Sequence, residues 1–102
     1  MPKLYTYLGI TIFFYSNEHR PIHVHGRKDG RESVVEVFFK GGEVSSVRAR
    51  EAGKKRPLAD KDLRLLRDFV KAKGTEIADL WNDYFVLQKK IEAQTITEKV
   101  KP

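Results

Sequence analysis

The chain contains no cysteine. Disulfides and thiolate metal sites are therefore excluded, and His, Asp and Glu are left as its strong metal ligands. Long hydrophobic runs are also missing. A membrane-spanning helix needs about 18 consecutive apolar residues, and the best run, "LGITIFFY", is shorter and interrupted by Gly9 and Thr11. The opening "MPKLYTYL" has neither the extended apolar region nor the small-residue cleavage site of a secretory signal. These features lead to an expected cytoplasmic address without membrane contact. No internal repeat and no low-complexity tract appears.

What is present fits a soluble globular protein: 102 residues, 40% apolar and 33% charged. That length predicts one domain over residues 1–102. The net charge of +6 is not spread evenly. Residues 40–73 carry eleven Lys/Arg against five Asp/Glu, and the remainder of the chain is neutral. A localised basic stretch attracts phosphates, acidic proteins or anionic surfaces. Its cations Arg48, Arg50, Lys54, Lys55 and Arg56 are the candidate RNA-binding or partner-binding residues. The plainer reading is a solvated face that keeps the protein soluble.

Periodicity divides the chain. Residues 1–50 read mainly as β-structure, with strands in "KLYTYL", "ITIFFY", "IHVHGR", "ESVVEVFF" and "EVSSVRAR". Asp29-Gly30 predicts a two-residue hairpin turn, and Gly41-Gly42 marks a second hairpin. Residues 58–92 read as two helices. The first places Leu63, Leu66, Phe69 and Val70 on one stripe, with Asp60 as its cap and Gly74 as its stop. Thr75 caps the second, whose buried face is Ile77, Leu80, Trp81, Tyr84, Leu87 and Ile91. Residues 93–102 are a tail or a short strand. The predicted fold is α+β: a small antiparallel sheet of about four strands, followed by two C-terminal helices covering one face.

All three histidines fall within "SNEHRPIHVHG". A two-residue turn at Asp29-Gly30 sets Val24 opposite Val35 on the core face. It sets His25 opposite Val34 and His23 opposite Glu36 on the other face. For the second hairpin a three-residue loop, Gly41 to Glu43, keeps both faces consistent and sets Glu36 opposite Arg48. His23, Glu36 and Arg48 then line up across three strands of an exposed polar face. His25 lies roughly 7 Å along from His23.

That cluster supports three readings. His23 and His25 could converge on a divalent transition metal, with His19 or Glu36 as third ligand. His23 as acid, Glu36 as base and Arg48 as phosphate anchor could instead serve ribonuclease-type chemistry. Finally, Glu36 and Arg48 could be an ordinary cross-strand ion pair on a surface that is merely polar or that docks a partner.

The segments "FFYSNEHRPIHVHG", "LADKDLRLL" and "WNDYF" resemble the bacterial family called domain of unknown function 4160, over Leu8 to about Ile96. The family has no established activity, so the resemblance implies no chemistry. It includes histidines matching His19, His23 and His25 and an aromatic matching Trp81. It also implies a small protein partner: members are often encoded beside domain of unknown function 2442, in an arrangement like toxin–antitoxin gene pairs. One departure is visible. Two residues after the Glu matching Glu32 the family carries Lys, and this chain has Val34. The expected function is a basic interaction module acting with such a partner and with RNA. The alternative is a metal-dependent or ribonuclease-type enzyme on the His cluster.

Overall fold

The computed structural model describes residues 2–102. Six strands and one helix follow in chain order: β1 (Lys3–Tyr7), β2 (Ile10–Phe13), β3 (His23–Lys28), β4 (Arg31–Lys40), β5 (Glu43–Glu51), α1 (Asp60–Phe85) and β6 (Gln94–Ile96). The strands form one sheet in the order β5-β4-β3-β2-β1-β6. The α+β class is as predicted, and the detail differs. The sheet has six strands because Leu8-Gly9, both at positive φ, turn β1 into β2, and because the tail adds β6. It is mixed, since β6 runs parallel to β1.

The register across the site follows the hairpins. Asp29 and Gly30, at φ 54° and 74°, form the first turn, and His23 pairs with Glu36, Val24 with Val35 and His25 with Val34. Beyond the second turn, Glu36 pairs with Arg48 and Val37 with Val47, as expected. The device is different, however. The loop is the two-residue Gly41-Gly42, and the register shifts at a bulge between Phe38 and Phe39. The bulge supplies the extra residue that a three-residue loop would have supplied.

The predicted pair of helices is a single one of 26 residues. Gly74 does not stop it. A Cβ on Gly74 would collide with Val44 and lie 3.2 Å from Val37 Cγ2, so glycine is what allows the helix to lie against β4 and β5. Interior glycine costs a helix about 1 kcal/mol. The buried stripe Leu66, Phe69, Val70, Ile77 and Trp81 runs straight through it and outweighs that cost. Tyr5 donates to Glu76 at 2.6 Å and ties the helix to β1 just past the expected break. Asp60 does not cap the helix: the N-cap is Ala59, and Asp60 lies in the first turn. Leu87, expected on the buried face, is 52% exposed beyond the helix end.

One core joins helix and sheet, with Tyr5, Tyr7, Ile12, Phe14, Val24 and Val35 meeting the helical stripe. Among the described residues no helix is long and apolar enough to cross a membrane.

Candidate functional site: a carboxylate–histidine cluster

His23 and His25 stand on β3, on the face opposite Val24, and His23 at the strand's start also meets Trp81 of α1. That face is not exposed there: His23 is 3% and His25 7% accessible, and Glu36 is buried beside them. Two segments cover it. The loop after β2 brings Tyr15 and Glu18 over the histidines, and the segment after β5 is pinned along β4 by Glu32 N–H donating to the Arg56 carbonyl at 2.9 Å. Sequence periodicity assigns a face but not what folds over it.

Glu18 bridges the two rings. Its Oε2 lies 2.8 Å from His23 Nε2 and its Oε1 lies 2.7 Å from His25 Nε2. The opposite nitrogens are occupied too. His23 Nδ1 is 2.7 Å from the Pro21 carbonyl, which can only accept, so this nitrogen carries the hydrogen. His25 Nδ1 is 3.1 Å from Glu32 Oε2.

Glu32, 2% exposed, is the second hub. Lys55 Nζ donates to its Oε1 at 3.0 Å, Arg27 Nε at 3.3 Å, and Tyr15 donates its hydroxyl to Oε2 at 3.0 Å. Lys55 also donates to the Tyr15 oxygen at 2.8 Å. Phe13 stacks on His25, and Trp81 lies 5.3 Å from His23.

Protonation follows from these contacts. Burial raises the Glu18 carboxyl, but His23 and then His25 outweigh it, so Glu18 lies below its ordinary value. Burial likewise raises Glu32, and hydrogen bonds from Lys55, Tyr15 and His25 overcome it and hold the carboxyl low. Burial pulls the His25 imidazole below its ordinary value against Glu18 and Glu32. Both carboxylates are thus anionic acceptors at neutral pH. Each ring presents both of its nitrogens to oxygen acceptors, and an imidazole in its neutral form carries only one hydrogen.

The predicted site residues separate into groups. His23 and His25 come together, and Glu18 rather than His19 joins them: the three offer ligand atoms within 4.8 Å of one another, an arrangement that could hold a metal ion. His19, the next residue, is exposed. His23, Glu36 and Arg48 share one row, but both nitrogens of His23 are engaged by Pro21 and Glu18. Glu36 instead receives Arg50 Nε at 3.1 Å, with Arg48 Nε at 3.8 Å. Arg48 is largely exposed, as are Lys54 and Arg56; Lys55 is also exposed, but its Nζ reaches Glu32. Sequence reasoning missed Glu18, Glu32 and Tyr15. For Glu18 a signal existed: a carboxylate in a Pro-punctuated loop, five residues before His23. For Glu32, two residues past the turn, the family resemblance marked the position, and the register and the covering segments reveal the role.

No curated protein and no solved structure matches the chain. A family model does, over residues 9–82, which contain the whole cluster. The chain belongs to that family, described as Domain of unknown function (DUF4160).

Proposed function

We propose that this is a metal-binding protein in which Glu18, His23 and His25 hold a divalent transition metal. One observation carries the reading: Glu18, His23 and His25 converge their ligand atoms within 4.8 Å, and all four ring nitrogens face oxygen acceptors. A cation among the two Nε2 atoms and the Glu18 carboxylate satisfies both Nε2 contacts at once. The Nδ1 partners also fit. Ligating histidines characteristically donate their other N–H to a carbonyl or carboxylate, as Pro21 and Glu32 provide. A four-coordinate ion keeps one position for water or for His19, the neighbour of Glu18. The near-complete burial of both rings favours an ion that ties the Tyr15–Pro21 loop to the sheet over an open catalytic centre.

The test is zinc titration of chelator-stripped protein against a competing chromophoric chelator, with elemental analysis. One equivalent is expected, lost in Glu18→Gln and in the double variant His23→Ala/His25→Ala. Failure of the unaltered chain to retain any metal would overturn the reading.

A second reading is a cytoplasmic basic interaction module, acting with a small protein partner and RNA in a toxin–antitoxin-like pair. Its support is β5, a nine-residue edge strand whose Arg48 and Arg50 side chains are 71% and 42% exposed. Electrostatic binding of RNA must weaken steeply with salt. Salt-independent binding, or none at low salt, removes RNA from this reading.

A further inference from the structure

Among the described residues no strand lies beside the outer edge of β5. Its backbone alternation can be read from its neighbours. Val37 N–H donates inward to Ile22 on the β3 side, so Glu36 and Val34 direct their backbone groups toward β5. Their partners Arg48 and Arg50 close that ladder. Val47, Ala49 and Glu51 therefore turn their N–H and C=O groups away from β4, to the open edge.

Beside this edge, between β5 and α1, lies a hollow of about 380 Å³. Its helix wall carries Arg64, Arg67 and Lys71 at helical spacing, with Asp68 as the one acid, against Ser46 and Val47 of β5. Further along the edge a hollow of about 180 Å³ is lined by Ala49, Pro57 and Leu63 together with Ser33, Arg50 and Glu51. On the opposite face Arg48 and Arg50 project. Cations thus flank the open edge on both faces and outnumber the acids Asp68 and Glu51 beside it.

We infer that β5 is a docking edge for an extended acidic peptide segment, which adds as a seventh strand with its carboxylates toward Arg64, Arg67 and Lys71. An added strand satisfies the donors of Val47, Ala49 and Glu51 and the acceptors of Val47 and Ala49, the Glu51 carbonyl already accepting from Arg50 at 3.4 Å. Phosphates could satisfy only the donors. The walls of both hollows also lack an aromatic side chain on which a base could stack. A peptide therefore fits better than single-stranded RNA. The bulge near Phe38 and Phe39 restricts pairing to the part of β5 beyond Ser45. This deepens the interaction reading and is independent of the metal.

The probe is a capped peptide of alternating Glu and Val, seven residues long, titrated into ¹⁵N-labelled full-length protein. Amides of Val47, Ala49 and Glu51 should slow in hydrogen exchange at least about tenfold, since they gain partners. N-methylation of alternate peptide residues should abolish binding for one set of positions and spare the other, because only one set faces β5. Arg64→Ala/Arg67→Ala/Lys71→Ala should weaken binding about tenfold at low salt. Equal binding of both N-methylated peptides would overturn strand addition while leaving a charged interaction surface. Tighter binding of oligouridylate without protection of those amides would overturn it in favour of nucleic acid. Binding of neither probe would overturn both the docking edge and the interaction reading.

Discussion

The Glu18 carboxylate reaches His25 Nε2 at 2.7 Å, from a loop that would otherwise hang over the sheet. Its other oxygen meets His23 at 2.8 Å, so one side chain closes both histidines from solvent. Whatever cation fills this junction, proton or metal, also fixes the loop. Occupancy and local order should therefore be coupled.

That coupling predicts a zinc-dependent melting temperature. Free zinc at a hundredfold excess over its dissociation constant should add about 2.7 kcal/mol of stability. The increase should vanish in Glu18→Gln and in His23→Ala/His25→Ala, and a chelator should reverse it. Acidification should release the ion, because protons compete for the same Nε2 and carboxylate atoms. Differential scanning calorimetry at several zinc concentrations checks this, and a concentration-independent midpoint would contradict it.

Glu32 orients His25 without reaching the Glu18 junction. Glu32→Gln should weaken zinc binding by about 10–100-fold, the usual cost of losing a partner behind a metal ligand. It should also destabilise the metal-free fold by about 1–3 kcal/mol, since the buried hydrogen-bond network loses its anion. Chelator competition and urea denaturation separate the two effects. An unchanged zinc affinity would show that His25 is held in place by Phe13 and Tyr15 alone.

Gly74→Ala should reverse the usual helix preference. In an exposed helix this change stabilises by about 1 kcal/mol. Here the new methyl would collide with Val44, and a loss of about 1–3 kcal/mol is expected from overpacking. Val44→Ala should partly relieve the Gly74→Ala loss in a double-mutant cycle. Stabilisation by Gly74→Ala alone would mean the helix does not lie against β5 as described.

Charge reversal in the basic segment should not act uniformly. Lys54→Glu/Arg56→Glu should reduce binding of an anionic partner at little cost to the fold, because both side chains are exposed. Lys55→Glu should destabilise the protein, because it sets a carboxylate against the buried Glu32 and removes a donor from Tyr15. Melting curves of the two variants distinguish them, and equal stability would remove Lys55 from the network.

The hairpins were legible in the sequence because their physics is local. Asp29-Gly30 can adopt two consecutive positive φ angles, and that turn alone fixes which residues of β3 and β4 face each other. Requiring each face to stay apolar or polar then carried the register to Arg48, even though a bulge rather than a longer loop produces it. The absence of cysteine reduced the metal ligands to His, Asp and Glu, and the histidine spacing marked β3 as the place to look.

The rest was decided by contacts between segments far apart in the chain. Gly74 carries the same sequence signal whether it ends a helix or lets one pass close to a strand, and only Val37 and Val44 across the gap choose between them. The polar face looked exposed because periodicity describes one strand at a time. Its burial depends on the Glu18 loop and the Lys55 segment folding over it, which no alternation pattern records. Local dihedral preference and side-chain period were thus set by the sequence directly, while the cluster of Glu18, His23, His25 and Glu32 exists only once the tertiary structure brings their segments together.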